Sequence, residues 1–344
     1  MKTAAQPAID NTQTIHMLPR WVTSAPGQDT DTVAFTSGAA LAMLDVVLRD
    51  PSGTLPSALL RDRMALDAAV ACLRLENRHE SMSDIRDAVC LARAGDALGP
   101  AGDMFEAWRK LARINPIQSR WKDRVVKSLP GPVAEAMPEL GSIVGSPVGQ
   151  AGQILEAVLR QFPRQEAAAL MLADVMLARA LGWDRVMPLL ATHLPRKNIR
   201  TIADGEGDAG LCMHRAMVAA CDTTIRSAAD LSRRAEKLRA VAPKLRAKGS
   251  DEALDLFLSH DAISPSGMLS PMIQGTTVVL TDRSARRLCD RLVDLGVVRE
   301  LTGRSTFRLY GILAWQKTGP CSTLSWKTCH LSCAGGNGWA GLRR

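Results

Sequence analysis

Three arginines within five residues, Arg283, Arg286 and Arg287, are the side chains whose type and spacing point most directly to chemistry. That chemistry is anion recognition. A guanidinium presents a planar fork of donors that fits phosphate oxygens and the outer edge of guanine. At about 100° per residue the three share a helical face with Asp290, opposite Ala285, Leu288, Cys289, Leu292 and Leu295. Basic residues in the first half of a short helix suit a recognition helix, whose N-terminal side chains meet base edges in the major groove. Two further basic residues follow, Arg304 in the turn Thr302-Gly303-Arg304-Ser305 and Arg308 beyond it. A third basic group, Lys244, Arg246 and Lys248, closes the run RRAEKLRAVAPKLRAK at 233–248. Such side chains are expected on phosphates.

A plainer reading stands beside this one. Arg286 and Arg287 lie four and three residues before Asp290, so ion pairs within the helix would stabilise it without any ligand. Asp290 and Asp294 would repel phosphate. Winged helices also serve as protein-docking modules, and that is the alternative function.

Other chemistry has little support. There is no phosphate-cradling loop ending in Gly-Lys-Ser/Thr, no G-x-G-x-x-G after a strand, no H-E-x-x-H and no G-x-S-x-G. Cys212 and His214 are two apart and so point to different sides of a helix. Asp62, Asp67, Glu76 and Glu80 read as a solvated face. Trp108, Trp121 and Trp183 read as core anchors. Five cysteines, Cys72, Cys90, Cys212, Cys221 and Cys289, stand isolated in apolar helical contexts and should behave as small buried hydrophobes. Cys321, Cys329, His330 and Cys333 have ligand chemistry but match no closed zinc spacing. The expectation is a protein that is not an enzyme, with no metal and no cofactor.

The elements that must position the arginines are legible in outline. Thr281 or Asp282 caps a helix running to Leu295, and Gly296 is its left-handed stop. The runs Val297–Leu301 and Thr306–Tyr310 around the 302–305 turn read as a β-hairpin. Helix, glycine, then hairpin with an arginine at its tip is the layout of a winged helix-turn-helix. The helix that should precede the recognition helix falls in 263–280, which holds Pro265, Gly267, Pro271 and Gly275 and is a poor helix former.

Upstream, the chain reads as successive amphipathic helices. These cover Thr32–Arg49, Ser57–Asn77, Ser83–Ala94, Ala101–Ile114, Gln150–Phe162, Gln165–Leu181, Trp183–His193 and Gly210–Val241. Residues 129–149 hold four prolines and four glycines and mark a candidate subdomain boundary, and 195–210 reads as a surface loop. The fold class is therefore all-α: a multi-helix body over 31–241, then a winged helix-turn-helix with a small β-hairpin over 242–311. Residues 1–30 form a loose lead-in.

Charge follows the same division. The net charge of +8 sits in the C-terminal third, because residues 1–224 carry 24 Lys/Arg against 25 Asp/Glu. Residues 225–311 carry 15 against 10, which suggests an anionic partner for that part. Only 4% of residues are aromatic, which weighs against an all-β fold and against single-strand binding by base stacking. The longest apolar candidate span, 167–183, is interrupted by Asp174 and Arg179. With no apolar leader near the N-terminus, a cytoplasmic protein without membrane association is expected. After Gly311 the composition changes: residues 312–344 hold three Trp, three Cys and no acid. This stretch is expected to be a poorly ordered, non-native extension that carries no function.

Several segments together resemble a bacterial family called domain of unknown function 1403. They are Ala240-Val241-Ala242-Pro243-Lys244-Leu245-Arg246-Ala247-Lys248-Gly249, Asp282-Arg283-Ser284-Ala285-Arg286-Arg287-Leu288 and Gly303-Arg304-Ser305-Thr306-Phe307-Arg308-Leu309-Tyr310-Gly311. Ala34-Phe35-Thr36-Ser37-Gly38-Ala39-Ala40-Leu41 and Leu181-Gly182-Trp183 extend the resemblance over roughly 20–311. The C-terminal stretch is also similar to the winged helices that end Fic-type and other bacterial regulatory proteins. The resemblance implies a fold and no catalytic residue. The expected function is duplex-DNA binding with a regulatory role, by a possible homodimer on paired half-sites.

Overall fold

The structure is a computed structural model, and it describes residues 15–24, 29–93, 95–137, 143–205, 209–245, 249–304 and 306–312. The 312–344 extension with its Cys/His cluster lies outside the described residues apart from Ile312, as do Arg246 and Lys248. The described residues belong to one compact unit.

The protein is mostly helical. After a single turn α1 (Arg20–Thr23), the first long helix α2 (Thr30–Leu48) starts where the Asp29 carboxylate accepts the Thr32 amide at 2.7 Å. Helices α3 (Ser57–Leu75) and α4 (Met82–Cys90) follow. The second opens on a capping box between Ser81 and Asp84, which satisfies two otherwise orphaned amides. Next come α5 (Gly99–Ala112) and two short helices, α6 (Trp121–Val126) and α7 (Gly131–Ala136), the latter inside the proline- and glycine-rich stretch at 129–149. Then come α8 (Pro147–Gln161), α9 (Glu166–Ala180), α10 (Arg196–Ala203) and the 33-residue α11 (Ala209–Val241). The body is built on close pairs: α8 on α9, α2 on α11 and α3 on α5.

Two stretches differ from the sequence reading. Residues 183–194 are not a helix but a buried irregular segment. Its backbone is held by Asp174, which accepts the Leu189 amide at 3.0 Å and the Leu190 amide at 3.3 Å. Leu189 and Leu190 are fully buried, so the apolar run follows from core position rather than from helical phase. The segment read as a loop at 195–210 contains α10, whose Ile199 and Ile202 reach the core. Trp108 and Trp183 are buried, as expected for core anchors. Cys72, Cys221 and Cys289 are buried thiols, and burial pushes Cys72 and Cys289 up to about 12, beyond ordinary reactivity.

One helix among the described residues, α2, is long and apolar enough to cross a membrane by length and composition. Part of it is buried against α11, and its outward face stays exposed.

The C-terminal part follows a 3₁₀ turn at Ala242–Lys244. It comprises α12 (Ser250–Phe257), a π-helical turn at Pro265–Leu269, α13 (Asp282–Asp294), β1 (Val298–Glu300) and β2 (Tyr310–Ile312). The proline- and glycine-rich 263–280 stretch thus provides a single turn of helix. Apolar residues of this part, including Phe257, Ile263, Leu269 and Leu288, belong to the same continuous core as the body.

Candidate nucleic-acid interface

Local signals account for α13. Thr281 Oγ1 accepts the Ser284 amide at 3.3 Å, capping the N-terminus. At the other end Gly296 takes φ +70°, its amide reaches Val293 O at 2.8 Å, and the Val297 amide reaches Leu292 O at 3.2 Å. That pair of bonds is the Schellman closure, which a left-handed glycine permits. Ala285, Leu288, Cys289 and Leu292 are buried, as their spacing requires, while Arg283, Arg286, Arg287 and Asp290 are exposed.

The hairpin differs in register from the sequence reading. Its second strand is Tyr310–Ile312, not Thr306–Tyr310, and it pairs antiparallel with β1 as Val298↔Ile312, Arg299↔Gly311 and Glu300↔Tyr310. Two constraints far from the hairpin fix this register. Tyr310 exchanges both backbone bonds with Ile263, at 2.7 and 2.9 Å. Gly311 also passes so close to Asp261 that a Cβ there would lie 2.5 Å from its carbonyl oxygen. The turn is correspondingly longer. Its base is closed by the Leu301 amide on Leu309 O at 2.8 Å, and Glu300 Oε1 accepts the Arg304 amide at 3.2 Å. The Tyr310 hydroxyl donates to Asp290 Oδ1 at 3.4 Å, tying hairpin to helix.

Between α13 and this turn lies a cleft of about 450 Å³ lined by Ser266, Arg286, Asp290, Thr306, Arg308 and Tyr310, among others. The structure therefore brings Arg286 and Arg308 to one cleft and places Arg283 and Arg287 on the same exposed helix face. Lys244 is exposed at the end of its 3₁₀ turn and does not line that cleft.

The arginines differ in their partners. Arg286 pairs with Asp282 at 2.9 Å, one turn back rather than one turn on as its spacing from Asp290 suggested. Arg308 stands 3.7 Å from Glu300 and donates to Arg304 O at 3.1 Å. Arg304 reaches out of the hairpin turn to Asp87 on α4, at 2.6 Å. Arg283 and Arg287 make no ion pair among the described residues.

Sequence reasoning missed the charged cluster behind the hairpin. Asp261 is buried and accepts Arg63 Nε at 2.9 Å and Arg86 Nε at 2.6 Å. Burial alone would push this carboxyl up; the two guanidiniums overcome that and hold it below its ordinary value. Its backbone amide donates to Asp62 Oδ2 at 2.9 Å, and Asp62 in turn pairs with Arg109 at 2.7 Å. Asp62 is therefore buried and paired, not part of a solvated face. Arg63 Nη2 also donates to Ile312 O at 2.8 Å, so α3 holds both the loop before the π turn and the last strand.

The class defined by this geometry is a mostly helical protein whose C-terminal helix and two-stranded sheet are fastened to the body by buried arginine–aspartate pairs. The chain belongs to the family described as Protein of unknown function (DUF1403), whose model matches residues 6–312. The match ends where the composition changes. No curated protein matches the sequence.

Proposed function

We propose that this protein is a cytoplasmic, duplex-DNA-binding regulator whose residues 242–311 act as a winged helix-turn-helix. The observation that carries the reading is the face of α13: Arg283, Arg286 and Arg287 exposed together while the opposite side is buried. The order of elements supports it. Helix α12, the isolated Ile263 bridge to β2, a helical turn, α13 and then the hairpin follow one another in the order helix, sheet contact, turn, recognition helix and wing. In this reading Arg283, Arg286 and Arg287 approach base edges, and Arg304 and Arg308 act from the wing. Lys244, Arg246 and Lys248 contact phosphates.

The test is fluorescence anisotropy of the full chain with mixed-sequence duplex DNA over a range of salt. Affinity should fall by about 0.9 log units per neutralised phosphate for each decade of salt. Arg283→Ala with Arg287→Ala should weaken it further. Absence of binding at low salt would end the reading. The second reading is docking of a protein partner. It is favoured by Arg304 being already held on Asp87, and by Asp282, Asp290 and Asp294 standing exposed on the same helix as the arginines.

A further inference from the structure

Helix α2 is apolar almost all round, which normally marks a helix buried on every side. Here one face is in water. Phe35 is 68% exposed and Val46 67%, and Phe35 stacks on Trp21, itself 55% exposed, with ring centroids 5.8 Å apart. Between them Gly38 and Ala42 are exposed too, so the middle of the face is small and its ends are large. Single exposed apolar residues are ordinary; a contiguous face with a stacked aromatic pair marks a contact surface.

The face is also self-complementary. At about 3.6 residues per turn, Asp31 and Arg49 are five turns apart and in phase, with the small residues in line between them. Both are exposed, and they carry opposite charge at opposite ends. Turn a second copy of α2 antiparallel about a two-fold axis at Ala40. Asp31 then meets the second copy's Arg49 and Gly38 meets its Ala42, while Phe35 comes within one residue of level with its Val46, at both ends at once. This is the isologous arrangement of a two-fold dimer. Arg49 is already oriented for it. Its Nε bonds Asp45 at 2.8 Å and its Nη2 bonds Leu181 O at 2.9 Å, which leaves the other terminal nitrogen for Asp31 of the second copy.

We propose that α2 is a homodimerisation surface and that its occupant is the same face of a second copy, packed antiparallel through Gly38 and Ala42 and closed at each end by Asp31 and Arg49. The proposal is independent of DNA binding, although a two-fold pair of C-terminal units would suit paired half-sites.

Sedimentation equilibrium of the full chain tests it. The wild type should be a dimer, and Ala42→Arg, a large charge at the closest approach, should leave it monomeric with its circular dichroism unchanged. Asp31→Arg should weaken the dimer by roughly tenfold, because it sets like charges together at two symmetric positions. Combining it with Arg49→Asp should restore the dimer, since the pairs are then rebuilt with their signs exchanged. Because Arg49 also holds Leu181, the double variant is compared with Arg49→Asp alone, so that any loss of folding is separated from loss of pairing. A wild type that stays monomeric overturns the proposal. So does a dimer indifferent to Ala42→Arg, or failure of a folded double variant to dimerise better than either single one. Binding of the monomer to phosphatidylcholine–phosphatidylglycerol vesicles, abolished by Phe35→Ser, would overturn it in favour of a lipid surface.

Discussion

Two groups of arginines occupy this molecule under opposite conditions. Arg63, Arg86 and Arg109 reach into the joint between the helical body and the C-terminal part, where each meets a buried carboxylate. Arg283, Arg286 and Arg287 stand in water on α13, and among the described residues only Arg286 of the three has an acidic partner, on its own helix. The residue type is the same and the work differs. Inside, the charge is compensated and the cluster fixes how two parts fit. Outside, it is left for something else to compensate. Net charge by sequence segment registers only the second group, because the first lies within residues 1–224, where 24 basic residues are offset by 25 acidic ones.

The largest expected effect tests the inner group. Asp261→Ala leaves Arg63 and Arg86 partly buried without their common acceptor. Urea unfolding of the full chain should show a loss of about 3–5 kcal/mol, the usual result of removing one partner from a buried ion cluster. A loss below 1 kcal/mol would mean that water reaches the joint and that the two groups of arginines do not differ in kind. Gly311→Ala should come next. Its Cβ would sit 2.5 Å from a backbone oxygen that cannot swing away, so an overpacking cost of about 1–3 kcal/mol is expected by the same measurement.

The outer group should give the reverse pattern. Arg283→Ala and Arg287→Ala should change stability by no more than about 0.5 kcal/mol, as exposed residues that form neither a cap bond nor an ion pair among the described residues do. On the proposed function, the double variant should lower duplex affinity by roughly tenfold or more. A variant that lost stability and kept its affinity would exchange the roles assigned to the two groups. Asp87→Asn sharpens the comparison at Arg304, the one arginine that spans both settings. Releasing it from α4 should cost less than about 1 kcal/mol, given that the pair is part-exposed. If the hairpin turn contacts DNA, the same change should raise affinity at low salt. If it docks a protein, duplex affinity should be unaffected.

How much of this was legible follows from the range of the interactions. Helix α13 and its ends could be read from the sequence because Thr281, Gly296 and the apolar stripe all act within one or two turns. The long helices α2, α3, α8, α9 and α11 were readable for the same reason. The hairpin was read with its second strand displaced, because what sets the register of Tyr310 is Ile263, and what brings Gly311 close is Asp261. The segment 183–194 has helix-like apolar content, yet Asp174 on another element takes its amides. The charged joint was the least legible part. Asp62 and Asp261 meet 199 positions apart, and Asp62 lay in a stretch whose other acids suggested a wet surface.

The smallest effect separates two buried aspartates by the sign of their pH dependence. Burial raises Asp174 well above its ordinary value of 3.8; the amides of Leu189 and Leu190, which donate to it, pull the other way but do not overcome that burial. Asp261, equally enclosed, is held below the same value by Arg86 and Arg63. Through Asp261 the folded state gains stability that is complete above about 3.9, the unfolded value, and is lost as pH falls through the lower folded value. Asp174 acts in the other direction. As pH rises past the unfolded value the unfolded chain gives up its proton while the folded chain keeps it. Stability therefore drains away up to the raised folded value. Replacing Asp174 by Asn removes that titration and keeps one oxygen for the amides of Leu189 and Leu190. Urea midpoints of Asp174→Asn relative to wild type should therefore improve as pH rises above about 4, until the raised folded value is passed. Asp261→Asn should move oppositely and only at the acid end, its deficit shrinking as pH falls below about 4. Parallel profiles for the two substitutions would mean that the arginines around Asp261 do not govern its charge, and the contrast between a paired and an unpaired buried carboxylate would fail.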